Sequence, residues 1–182
     1  MKQLILFSFA VMLIAISSCD KPAAIFFNDK STAGKADRTS WTATASSEEL
    51  SGEGPVNGRT SALLDGNYNS FWHSQWAGAT PPYPHWILID MKSAVKAITI
   101  DITARQNNAN GMTKFTLEGS VDGTTWNNLR KDGGMFKFDP ANKAPQSFPV
   151  SSTGTIRYLK LTMNEGKVAS SHLAEIEVYT VK

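Results

Sequence analysis

From Trp41 onward the apolar residues of this chain recur at every second position, and no stretch keeps a three-to-four spacing long enough for three helical turns. A period of two sends side chains to alternate faces of a strand, so the pattern predicts sheet. The runs fall at residues 41–45, 86–91, 95–103, 115–121, 146–150, 156–163 and 173–181. In the third, Ile98, Ile100 and Ile102 share a face; in the sixth, Leu159, Leu161 and Met163 do. Residues 86–91 are apolar almost without a break, which suits a central strand covered on both faces. Asp122-Gly123 turns a hairpin towards Trp126, and Pro149 confines its strand to an edge. About eight strands at this spacing predict an all-β domain, a sandwich or barrel, over residues 41–182. Phe71, Trp72, Trp86 and Trp126 read as core, and Trp41 with them.

Composition narrows the partners. With 41% hydrophobic residues, 19% charged residues, a net charge of +2 and no basic run, the chain lacks the electrostatic footprint of a nucleic-acid binder. It also lacks a nucleophile elbow, a glycine-rich phosphate loop, a His-Glu-x-x-His pair and a cysteine nucleophile, so it does not read as an enzyme.

The N-terminus carries an address. Lys2 is followed by a nearly unbroken apolar run from Leu4 to Ile16, too short to span a bilayer and suited to a signal peptide. Ser17-Ser18-Cys19 follows, and Cys19 is the only cysteine. These residues resemble the lipobox of bacterial lipoproteins. The resemblance implies removal of residues 1–18, lipid on Cys19, and a membrane-anchored protein of the cell envelope, at the outer membrane or cell surface. Residues 19–40 are mostly small and polar and read as the lipidated cysteine and a tether.

The most informative stretch is residues 63–76. Asp65-Gly66-Asn67 is a turn signal whose oxygens are also hard metal ligands. Phe71-Trp72 follow, then His73, and then Trp76 in a Gly-Ala-Thr-Pro-Pro setting where a tryptophan has little reason to be buried. Together with Pro84-His85-Trp86, Arg105-Gln106, Phe115 to Ser120, Ile156 to Leu161 and Ala174 to Val178, this series resembles the discoidin-like, coagulation factor 5/8 type C domains. Within these it is most similar to family 32 carbohydrate-binding modules.

The resemblance implies a β-sandwich jelly roll with a structural calcium ion. By position, the side chains of Asp65, Ser70 and Glu175 and main-chain oxygens of Ala62, Asn67, Ser70 and Ala174 would hold it. It also implies a sugar site of His73, Trp76, Arg105 and Asn110. Trp76 would stack on a pyranose, His73 and Arg105 would bracket an axial hydroxyl as on galactose, and Asn110 would bond its neighbour. Glu53 is a further residue within possible reach. The loop at residues 164–172 lacks the aromatic wall that the family often adds. The expected protein is a monomeric, non-catalytic, lipid-anchored binder of a glycan; the alternative is an adhesion module that contacts a protein or lipid surface.

Overall fold

A computed structural model describes residues 33–151 and 154–181. The expected signal peptide and Cys19 lie outside the described residues. In chain order the strands are β1 (Ala33–Lys35), β2 (Thr42–Ala45), β3 (Trp72–His73), β4 (His85–Val95), β5 (Ala97–Thr103), β6 (Met112–Ser120), β7 (Asn127–Asn128), β8 (Phe136–Lys137), β9 (Gln146–Pro149), β10 (Ile156–Gly166), β11 (His172–Leu173) and β12 (Glu175–Val181). A 3-10 turn, Thr60–Leu63, precedes β3.

The strands form two main sheets. One runs β1-β12-β5-β9; the other runs β2-β4-β10-β6-β7, with β8 also on β6. A two-stranded ribbon joins β3 to β11, and every strand pairing is antiparallel. Ile87, Ile89 and Met91 of β4, Phe115 and Leu117 of β6, and Leu159, Leu161 and Met163 of β10 meet Ile100, Ile102, Ile176 and Val178 of the opposite sheet in one core. Each such side chain contributes about 1.5–3 kcal/mol on burial. The result is the expected β-sandwich.

Three expectations shift. Strand β4 is covered on one face: Ile87, Ile89 and Met91 point inward while Trp86, Leu88 and Asp90 are half-buried on the outer face. An unbroken apolar run does not reveal which residues face out, so Trp86 leaves the expected core. Trp126 is likewise half-buried, with the Lys160 ammonium 5.8 Å from its ring centre. The strand buried on both faces is β5, where Thr99, Asp101 and Thr103 are sealed in beside Ile100 and Ile102. Pro149 does sit on an edge, in β9.

The expected tether also contributes structure. Residues Ala33 to Lys35 pair with Val181 to Tyr179, so the sheet reaches back before Trp41. Two charges hold it there: Lys35 Nζ lies 2.6 Å from Glu177 Oε1, and Arg38 pairs with Glu175.

The ribbon β3–β11 sets His73 opposite His172. The loop before it is folded onto β3: Glu49 N–H donates to the His73 carbonyl at 2.9 Å, and Gly58 N–H to the Phe71 carbonyl at 2.8 Å. Gly58 has φ of 85°, and a β-carbon there would meet the Glu49 carbonyl at 1.8 Å, so only glycine fits.

Candidate ligand cleft and the acidic centre

His73 is 6% exposed. Its Nδ1 lies 2.6 Å from the Ser74 carbonyl. A carbonyl only accepts, so Nδ1 carries the proton and Nε2 presents a bare lone pair. Burial pushes the imidazole below its ordinary range, so it stays neutral at neutral pH. Its Nε2 is 3.9 Å from Glu53 Oε1.

Arg105 stands just past the end of β5. Its Nη1 donates to Glu53 Oε1 at 3.1 Å, its Nη2 to Glu53 Oε2 at 3.4 Å, and its Nε to Asn107 Oδ1 at 2.7 Å. The guanidinium lies 3.7 Å from the Phe71 ring centre, a cation–π contact that orients it. Trp76 is 43% exposed, and its Nε1 donates to Glu53 Oε1 at 3.2 Å. Glu53 therefore gathers Trp76 and Arg105 on one carboxylate beside His73.

These four residues line an open cleft of about 620 Å³, together with Thr80, Asn108 and Val168 to Ser170. That volume is in the range of clefts that hold ligands of roughly drug size. The structure brings His73, Trp76 and Arg105 together as expected. Asn110 is not among the lining residues; Asn108 is. The reason is local: Asn108 Oδ1 accepts the Asn110 N–H at 2.9 Å, a tight Asx turn that separates the two. Lys143 pins the same loop through the Arg105 and Asn108 carbonyls, at 2.8 and 2.6 Å. Behind the cleft, His172 is 3% exposed and packs 5.2 Å from the His73 ring. Burial, reinforced by His73 and Arg105, pushes it down to about 3.

The second constellation lies at the turn before β3. Asp65 Oδ1 accepts the Asn67 N–H at 2.8 Å, and Oδ2 lies 2.7 Å from Ser70 Oγ. Ser70 Oγ is also 2.8 Å from the Asn67 carbonyl. Glu175, fully buried, accepts the Gly66 N–H at 2.7 Å and the guanidinium of Arg38, which also donates to the Ile176 carbonyl at 2.8 Å. Burial raises the Glu175 carboxyl to about 7, Arg38 opposing the rise and Asp65 adding to it. Ala62 lies in the 3-10 turn and Ala174 adjoins Glu175. Asp65, Asn67, Ser70 and Glu175 thus converge. Two carboxyls, a hydroxyl and a carbonyl form a hard oxygen set of the kind calcium takes. Among the described residues no cluster of three or more His, Cys, Asp or Glu has metal-holding geometry, so main-chain oxygens would have to complete such a site.

Glu49, Asn108, Val168, His172 and Arg38 escaped the sequence reading. Glu49 and Glu53 look alike in a Ser/Gly loop; Glu53 stands between Gly52 and Gly54 and Glu49 three residues before Gly52, a difference that does not mark either as buried.

Residues 42–176 match the model of the F5/8 type C domain. A sialidase of Micromonospora viridifaciens is 34% identical over 136 residues, covering 72% of this chain and 20% of that protein, so the chain spans about a fifth of that relative's length. The C-terminal domain of a chitobiase from Bacteroides fragilis superposes with a TM-score of 0.73 at 35% identity, over 82% of this chain and 99% of that one. The family 32 carbohydrate-binding module of Clostridium perfringens NanJ, solved with galactose, superposes with a TM-score of 0.67 at 25% identity, over 81% and 98%.

Proposed function

The chain belongs to the F5/8 type C domain family, and from that membership we propose that it is a non-catalytic carbohydrate-binding protein whose cleft takes a galactose-type sugar. The observation that carries this reading is the convergence of an exposed Trp76 with His73, Arg105 and Glu53 in one cleft. Trp76 offers an aromatic face to the apolar face of a pyranose. The bare His73 Nε2 and the Glu53 carboxylate accept from hydroxyls, while the Arg105 guanidinium donates to them. Asn108 supplies the amide first sought at Asn110. Val168 stands where an aromatic wall was expected. Among the described residues the cleft lining holds one carboxylate, Glu53, and glycoside hydrolysis generally needs two.

Calcium is the proposed structural ion at the acidic centre. The side chains of Asp65, Ser70 and Glu175 would hold it with main-chain oxygens of Ala62, Asn67, Ser70 and Ala174. It would neutralise the paired carboxyls and tie an early loop to the last strand, so its binding energy becomes folding energy. Lipid on Cys19, with the glycan as partner, would place this module at the bacterial cell envelope as a monomer.

Isothermal calorimetry with galactose tests the binding claim. The expected Kd is about 0.1–1 mM, or roughly −4 to −5.5 kcal/mol, because one stacked ring and a few wet hydrogen bonds yield little more. His73→Ala is expected to abolish the heat. Absence of binding to galactose and to every glycan on an array would overturn the reading.

A further inference from the structure

We infer that Glu49 is a positioning residue for the cleft: its buried carboxylate fixes the backbone that carries Trp76, and Gly52 provides the seat for the indole. Glu49 is 1% exposed and bears no sugar-facing atom. Its Oε2 accepts the N–H groups of Trp76 and Ala77, at 2.9 and 2.7 Å. Its Oε1 accepts the N–H and hydroxyl of Ser51, at 3.0 and 2.8 Å, and the N–H of Gly52 at 2.7 Å. One carboxylate therefore staples residues 51–52 to residues 76–77, two loops that share no strand. Its own backbone is anchored through the His73 carbonyl, so the staple hangs from the strand that carries the acceptor imidazole.

Gly52 completes the device. A β-carbon there would stand 2.3 Å from Trp76 Cζ2, 2.7 Å from Cη2 and 3.0 Å from Cε2. The six-membered half of the indole fills the space that any side chain at residue 52 would need. The Gly52 backbone lies outside the left-handed region, so a methyl group added there acts on Trp76 and not through φ. Trp76 is thus held three ways while 43% exposed: by its N–H on Glu49, by its ring on Gly52 and by its Nε1 on Glu53. An exposed ring ordered in advance loses less entropy when a ligand stacks on it. Glutamine at residue 49 would keep the volume but replace one acceptor oxygen with an NH2 that faces N–H groups, freeing one of the two loops.

The binding arm of the test rests on the sugar reading; the spectroscopic arm does not. The full chain is labelled with 5-fluorotryptophan, and its five tryptophans are followed by fluorine NMR, with the Trp76 signal assigned by Trp76→Phe. Glu49→Gln and Gly52→Ala are both expected to move or split the Trp76 signal alone. Galactose affinity is expected to drop at least about tenfold in each. If Glu49→Gln does not fold, Gly52→Ala, on the solvent-facing loop, decides the matter. An unmoved Trp76 signal in the folded variants overturns the inference, as does movement of all five signals together. A wild type that ignores galactose while the Trp76 signal still responds overturns the sugar reading and leaves the positioning role standing.

Discussion

Glu49 and Glu175 are almost equally sealed from water, at 1% and 0% exposure, and are held in opposite ways. Five donors converge on Glu49, four of them backbone N–H groups, with those of Ala77, Trp76 and Gly52 foremost in holding its carboxyl well below the usual range. Glu175 receives one backbone N–H and one guanidinium, with the Asp65 carboxyl alongside, and is raised to about 7. Burial alone does not decide the state of a buried acid; the count of donors aimed at it does. The Glu49 centre is complete within the protein and serves to shape the cleft. The acidic centre sets the Asp65 carboxyl beside Glu175, with Arg38 as its ion partner, and joins distant parts of the chain.

The largest expected effect is on the acidic centre. Glu175→Ala leaves Arg38, whose side chain is 12% exposed, with Glu177 at 3.8 Å in place of its close partner. Breaking one partner of a buried pair costs about 3–5 kcal/mol. Urea unfolding measures it, in calcium and in chelator. Wild type is expected to gain about 2.7 kcal/mol when calcium exceeds its Kd a hundredfold, and Glu175→Ala to gain nothing. Galactose affinity of the folded variant is expected to hold, since the cleft stands on Glu49. A loss below about 1 kcal/mol would break the contrast, because a centre built to unite loop and last strand cannot be so dispensable.

Acid is expected to act on the cleft side through His172, which has no hydrogen-bond partner on either ring nitrogen among the described residues. Its pKa of about 3 lies below the unfolded value of 6.5. The unfolded chain therefore takes up a proton first as pH falls. Stability is full above pH 6.5 and declines between 6.5 and about 3, by at most about 1.4 kcal/mol per pH unit. Unfolding midpoints across that window check it. His172→Gln is expected to flatten the slope, and an unchanged slope would assign the acid sensitivity elsewhere.

The legible parts were those that local chemistry determines. Period-two runs mark the strands because alternation is a backbone property. Trp76 stood out because an aromatic in a proline–glycine loop has no evident packing reason to be there, and His73 and Arg105 through the resemblance to family 32 carbohydrate-binding modules. What stayed hidden depends on partners far along the chain. Ala33-Gly34-Lys35 has no strand pattern; it pairs because β12 offers an edge and Glu177, 142 residues away, takes its lysine. Glu49 and Glu53 are four residues apart in one loop, yet the first is a buried staple and the second faces the cleft. Donors from residues 76 and 77 make that difference, and no spacing rule reports them. Asn108 and Asn110 are likewise separated only by the direction of one Asx turn.

The smallest expected effect probes how the Glu49 centre distributes its grip. Ser51 is exposed and supplies two of the five donors, its N–H and its hydroxyl. Ser51→Ala removes only the hydroxyl. The carboxylate keeps four backbone N–H groups, two on each oxygen, so neither loop is released. Exposed substitutions of this kind are close to neutral, so galactose affinity by calorimetry is expected to change less than about twofold. Glu49→Gln differs in kind: it turns an acceptor into a donor and strands every N–H aimed at that atom. If Ser51→Ala weakens binding as much as Glu49→Gln, the hydroxyl is the keystone. The contrast with Glu175 would then rest on one side chain rather than on a spread of backbone donors.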